Sequence, residues 1–366
     1  MPKRHLLATL ALVIAATCGL AAPLSARNSH ADKHHGGQPG EITIVADNLN
    51  NPRQIAIHGG AIYVAEAGTG GDICPPGSGA CLGFTGSVTR VKHHHAERVQ
   101  TGLISVASPE GDVVGVDALA FKGSKLYGIA TGTCAVDPTS LPPEIAAQLG
   151  KVLRLRGGTA VSAVADPQAF ECANNPDGQE ADTDPYGLAI RGHQIFVADA
   201  AGNDVVKFHN GDTPSATVLS TTGQPVPTSL AWGPGGDLFI GTLNFEAGPG
   251  GASVYRLDVH TGALSVYASG LTAITSLAFG DHGRLYVTEW TTGFTANGPS
   301  SDGDVVVIPR GGGLEGRQTL GTGALHFPTG VAVSHGNVYV SNWGIATGED
   351  GPFGPGNHGQ LVKISQ

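Results

Sequence analysis

Six times along the chain an apolar segment centred on an alanine meets a tight polar turn. A second apolar segment follows, built as aliphatic, aromatic and usually aliphatic. The copy DPYGLAIRGHQIFVADAAGNDVVKF (184–208) shows the pattern whole. The others read NPRQIAIHGGAIYVAEAG, GVDALAFKGSKLYGIATG, VPTSLAWGPGGDLFIGTL, AITSLAFGDHGRLYVTEW and FPTGVAVSHGNVYVSNWG. Their aligned alanines are Ala56, Ala120, Ala189, Ala231, Ala278 and Ala332, spaced 42 to 69 residues apart. Strand neighbours point to opposite faces, so an unbroken apolar triplet such as Ile195-Phe196-Val197 predicts a strand covered on both sides. Sheets stacked face to face around an axis provide that cover, and a small alanine suits the crowded strand nearest the axis. Repetition at this period indicates a radial array of four-stranded blades.

Third strands follow in GSVTRVKH, KVLRLRG, DVVKFHN, SVYRLDV and DVVVIPR, and outer strands in AERVQTG and ALSVYASG. The sixth copy stops after its third strand, QLVKISQ, while EITIVADNL (41–49) stands unused before the first. Pairing these two closes the ring and removes its open edges. The pattern therefore predicts an all-β, six-bladed β-propeller in one domain, residues 41–366. The alternatives are a seven-bladed ring with an unrecognised copy, or a solenoid, and an unseen blade would need room. The long intervals Ala56–Ala120 and Ala120–Ala189 are instead filled by insertions, among them PTSLPPEIAAQL with a short helix from about Pro142.

The segment MPKRHLLATLALVIAATCGLAAPLSA carries a basic start, an apolar stretch and a small-residue end. It reads as a signal peptide, residues 1–26. The stretch approaches the length of a membrane span, but the small residues favour cleavage, and no later segment is apolar enough to span. Residues 27–40 lack apolar periodicity and read as a flexible lead-in. Secretion, or a periplasmic or other extracytoplasmic location, is expected. Removing the leader takes away Lys3 and Arg4 and moves the net charge from −10 to −12. That disfavours nucleic acid, which needs a basic stripe. The mature chain keeps Cys74, Cys81, Cys134 and Cys172, which in an oxidising compartment read as two disulfides with three conceivable pairings. Cys74–Cys81, closing a short Gly/Pro-rich loop, and Cys134–Cys172 are favoured. With 56 Gly and 23 Pro, the chain is rich in tight turns rather than disordered, because 40% of it is hydrophobic.

The connections leading into first strands and those leaving second strands share one rim. It gathers Asn51, Arg53, Asp117, Asp184, Tyr186 and Thr228, together with Glu66, Asp199, Thr242, Glu289 and Asn342. The long insertions also fall there, which makes it the rim to search for function. Glu66, Asp199 and Glu289 end equivalent strands and are expected to converge on the channel mouth. Two readings stand: with Asn342 and the amides of Asn174 and Asn175 they form an oxygen cage for Ca²⁺, or they cap backbone N–H groups. Trp290 and Trp343 follow Glu289 and Asn342, as core or as an aromatic wall for a flat ligand. The polar loop ECANNPDGQEADTDPYG (171–187) lacks the EF-hand spacing. His93-His94-His95 reads as a solvated blade edge. GPGNHG (354–359) has the GxGxxG form but no following helix. GxSxG, HExxH and P-loop motifs are absent from the sequence.

NNPRQIAIHGGAIYVAEAGTGGDIC, ANNPDGQEADTDPYGLAI, VPTSLAWGPGGDLFIGTL and FPTGVAVSHGNVYVSNWG resemble the blades of the ScyD/ScyE family, exported propellers named for scytonemin-biosynthesis gene clusters. Individual blades are also similar to NHL repeats and, more distantly, to strictosidine-synthase-like and gluconolactonase-like propellers. The resemblance implies the fold and export, and carries over no catalytic residue. Two functions compete. One is binding of a small molecule or an exported protein partner at the loop-rich rim. The other is a Ca²⁺-dependent, lactonase-like hydrolase or lyase with its metal at the channel mouth.

Overall fold

The computed structural model describes residues 40–74, 79–109, 112–209, 211–295, 298–345 and 358–366. The signal segment, nearly all of the lead-in and most of GPGNHG lie outside these. Six antiparallel sheets form six blades, as the repeat predicts. Blade 1 comprises Pro52–His58, Ala61–Glu66, Cys81–Lys92 and His95–Ala107, with a short fifth strand, Val113–Val114. Blade 2 holds Val116–Lys122, Lys125–Ala130, Val152–Leu155 and Val161–Ala165. Blade 3 holds Pro185–Arg191, Gln194–Asp199, Asp204–His209 and Ser215–Val218. Blade 4 holds Pro227–Trp232, Leu238–Thr242, Ala252–Leu257 and Leu264–Leu271. Blade 5 holds Ile274–Phe279, Leu285–Glu289, Asp302–Ile308 and Gln318–His326.

Blade 6 is Gly330–Ser334, Asn337–Asn342 and Gly359–Ile364, and its fourth strand is Ile42–Leu49 from the start of the domain. Ile42 faces Ile364, Ile44 faces Val362 and Leu49 faces Gly359. The expected ring closure is thus present.

The aligned alanine has a consistent structural reason. In every blade it sits directly across the ladder from the aromatic of the second strand: Ala56 opposite Tyr63, Ala120 opposite Tyr127, Ala189 opposite Phe196. Ala231, Ala278 and Ala332 likewise face Phe239, Tyr286 and Tyr339. The methyl leaves room for the ring, which then packs on the next blade. Tyr63 meets Phe121 edge-on at 4.9 Å, Phe196 meets Trp232 at 5.5 Å and Phe239 meets Phe279 at 4.8 Å. Such edge-to-face contacts add directionality to the apolar burial that joins the blades.

Both disulfides form as favoured, Cys74–Cys81 and Cys134–Cys172. The helix expected near Pro142 is Pro143–Ala146, with Ile145 buried in the core. A second helix, Pro167–Asn174, corrects the reading of 171–187 as a loop throughout. Asp166 caps it by accepting from Ala169 N, Pro167 occupies its first turn, and Asn175 ends it with φ 42°. His93 and His94 form an exposed turn tip with φ 50° and 61°.

Candidate functional site

The polar residues that end the second strands repeat one local device. Glu66 accepts from Asn50 N at 2.8 Å, Asp199 from Asp184 N at 2.7 Å, and Glu289 from Thr272 N at 2.5 Å. Asn342 Oδ1 accepts from His326 N at 2.6 Å. The three carboxylates secure the loop leading into the first strand of their own blade, and Asn342 holds the end of blade 5's outer strand. In three of these blades that loop must take a left-handed residue, at Asn51, Ala273 or Phe327. The expected convergence of the four into one cage is therefore corrected, and the capping alternative describes them. Glu66 is further held by Ser87, Thr89 and an ion pair to Arg98 at 2.8 Å. Asn342 Nδ2 reaches Gln360. Burial, then the neighbouring Asp304 carboxylate, pushes Glu289 up to about 8, so this pair holds a proton near neutrality. Among the described residues, no group of three or more His, Cys, Asp or Glu already stands in a metal-holding arrangement.

The channel mouth is built instead from the position three residues before each aligned alanine: Arg53, Asp117, Tyr186, Thr228, Thr275 and Thr329. The threonines stitch successive inner strands together. Thr228 Oγ1 donates to Ile274 O at 2.6 Å, Thr275 to Pro328 O at 2.8 Å, and Thr329 to Pro52 O at 2.6 Å. Arg53 bonds Asp117 at 3.1 Å and donates to the carbonyls of Val113 and Gly344. One position further along, five copies carry Ala, Gly or Ser and the first carries Gln54. Its amide crosses to Thr228 O at 2.7 Å and Thr275 O at 3.1 Å, so one long side chain spans the axis from blade 1 to blades 4 and 5.

Above this layer lies a pocket of about 70 Å³. Trp290, Phe245, Leu243 and Ile345 form its apolar wall, and Arg53, Tyr186, Thr275 and Thr329 bring polar groups to it. Trp290 is 8% exposed and packs on Phe327 at 4.7 Å, so it is core on one side and wall on the other. Trp343 stacks on His326 at 4.4 Å, beside the pocket-wall cluster.

The electrostatics are those of a dry site. Burial raises Asp117 to about 7 against the opposing pull of Arg53. Burial, then Asp117, holds Asp184 well above the usual carboxylate range although Thr131 donates to it at 2.9 Å. Burial also pushes the Tyr186 phenol up and keeps it neutral. Asp184 is buried beside Asp117, with its side chain held by Thr131 and its backbone N–H by Asp199. Asn174 does not reach the mouth: it is exposed and its amide returns to Phe170 O. Asn175 bonds Gln179 O within the same loop.

Arg53, Asp117, Tyr186 and Thr228 were placed on this rim by the sequence, but Gln54, Phe245, Thr275 and Thr329 were not singled out. The signal for Gln54 lies in the alignment itself, as one long amide in a column of small residues.

No protein-family model matches the chain, and no curated protein does either. Solved structures match in fold. A putative gluconolactonase superposes with a TM-score of 0.52 at 11% identity, over 89% of this chain and 91% of that one. A putative oxidoreductase (glucose dehydrogenase) from Thermus thermophilus gives 0.52 at 16% identity, over 88% and 99%. A streptogramin B lyase gives 0.45 at 14%, over 83% and 80%. At these identities the likeness shows the propeller fold alone.

Proposed function

We propose that this is an exported, ligand-binding propeller of the ScyD/ScyE type that takes one end of a small, flat, largely apolar molecule into its channel mouth. The pocket beneath Trp290 and Phe245 carries this reading: an apolar wall over a few fixed polar groups is the usual form of a small-molecule site. Its volume is below the ~300–1,000 Å³ of sites that engulf a whole ligand, so the molecule inserts a ring or short arm. The mouth offers Arg53 and Tyr186 to a polar group on that arm. The two disulfides fit an oxidising, extracytoplasmic compartment. No helix among the described residues is long and apolar enough to cross a membrane.

Tryptophan fluorescence titration with a panel of aromatic and alicyclic ligands tests the proposal. Saturable quenching is expected, with Trp290→Ala weakening it by about tenfold or more, the value of a buried aromatic anchor. An affinity unchanged in Trp290→Ala would remove the pocket as the site. Turnover of a lactone or ester in the same panel, abolished by chelator, would replace the binding reading with the metal-dependent one.

A further inference from the structure

A second polar site lies away from the channel, where the helix Pro167–Asn174 packs on the hairpin tip Asp199–Asp204 of blade 3. The carboxylates of Asp199 and Asp177 press on Glu171, and those of Asp199, Glu171 and Asp177 press on Asp204. No lysine, arginine or histidine is among the groups acting on Glu171, Asp199 or Asp204. Glu171 and Asp204 are each 0% exposed, and neither oxygen of either carboxylate has a protein hydrogen-bond donor. Asn175 Oδ1, at the end of the same helix, is also without a donor. The glycine of GND holds the space open. A Cβ at Gly202 would lie 2.9 Å from Glu171 Cδ and 3.2 Å from Asp199 Cγ, so both carboxyl groups abut one backbone point. The Cys134–Cys172 bridge ties down the residue next to Glu171.

A proton shared between two of these carboxyls relieves part of their repulsion but leaves the Asn175 amide oxygen without a donor. A bound cation would supply the partner that the Glu171 and Asp204 oxygens lack. We propose that Glu171 and Asp204, with Asp199 and the Asn175 amide oxygen, bind a Ca²⁺ ion that pins the helix and its loop to blade 3. The donor set is entirely oxygen, which selects Ca²⁺ over zinc or copper, and both nearby cysteine thiols are consumed in the disulfide. Ca²⁺ accepts irregular coordination of six to eight oxygens, whereas Mg²⁺ demands an octahedron and keeps its waters. None of Glu171, Asp204, Asp199 and Asn175 lines the channel pocket.

Isothermal titration of the EDTA-dialysed protein with CaCl₂ is the test, alongside thermal unfolding with CaCl₂ or MgCl₂. One ion per chain is expected, with Kd at or below the roughly 10⁻⁴–10⁻³ M of extracellular modules. CaCl₂ should raise the unfolding midpoint more than MgCl₂ does. Glu171→Gln combined with Asp204→Asn should weaken Ca²⁺ binding by about 100-fold or more, whereas Glu66→Gln should leave it unchanged. Should the double variant fail to fold, Gly202→Ala closes the same space and should weaken Ca²⁺ binding alone. The proposal is overturned if the wild type takes up no Ca²⁺ at about ten times that Kd range. It is equally overturned if a folded variant of either kind keeps the wild-type response.

Discussion

Replacing Arg53 by methionine removes three interactions from the channel mouth at once: the bond to Asp117 and those to the carbonyls of Val113 and Gly344. Arg53 is 6% exposed and Asp117 fully buried, so water cannot replace what is lost. Breaking a buried ion pair from one side costs about 3–5 kcal/mol, because the remaining charge is stranded. Much of that cost depends on Asp117 being ionised. Its carboxyl titrates at about 7 in the folded protein, well above its ordinary value, because burial outweighs Arg53. Folding therefore takes up a proton between about pH 4 and 7, and this group's contribution to stability falls as pH rises through that window. At about pH 8 the wild type holds an ionised, paired Asp117 and the variant should lose roughly 3–5 kcal/mol. At about pH 5 Asp117 is neutral in both proteins, and only the unmet carbonyls remain, about 1–3 kcal/mol. Urea unfolding of wild type, Arg53→Met, Asp117→Asn and the double variant at both pH values measures this. The coupling energy should be about 2 kcal/mol or more at the higher pH and smaller at the lower. Equal losses for Arg53→Met at both pH values, with additive single variants, would refute the reasoning.

Thr329→Val removes the hydroxyl that joins blade 6 to Pro52 O. It should cost about 1–3 kcal/mol by denaturant titration, since the carbonyl is left buried. Glu66→Gln should cost less than Arg53→Met, because Arg98 is 42% exposed and can hydrate when its partner is neutralised; thermal unfolding of the two variants compares them. Deleting residues 41–49 bares the edge strand Gly359–Ile364 and should produce self-association on size-exclusion chromatography. Replacing Cys134 and Cys172 by serine opens a 38-residue separation and should cost about 4 kcal/mol by chain entropy. The 7-residue separation of Cys74–Cys81 predicts about 2 kcal/mol, and calorimetry of the two double variants ranks them.

The fold was legible because each blade repeats the same alanine-against-aromatic pair, and the unused strand before the first copy matched the one missing after the last. The site was less legible for a specific reason. Polar residues recur at two neighbouring rim positions, and sequence alone does not say which faces the axis. Glu66, Asp199 and Glu289 turn back to backbone N–H groups of the connections into their own blades, and Asn342 to His326 N at the end of blade 5. The inner position, from Arg53 to Thr329, lines the mouth. Helix Pro167–Asn174 was missed because its polar C-terminal end reads as loop, and its one fully buried carboxylate, Glu171, opens that polar run.

Closing the ring with the first and last strands also bears on its assembly. The outer strand of blade 6 waits for a partner that lies more than three hundred residues downstream in the sequence, so its loop-closure entropy is settled last. Both disulfides span short stretches that end before the third blade begins. Thiol oxidation can therefore finish on a half-built ring, and the protein can be covalently complete before it is topologically closed. With that strand undocked, Gly359–Ile364 would be left as an open sheet edge.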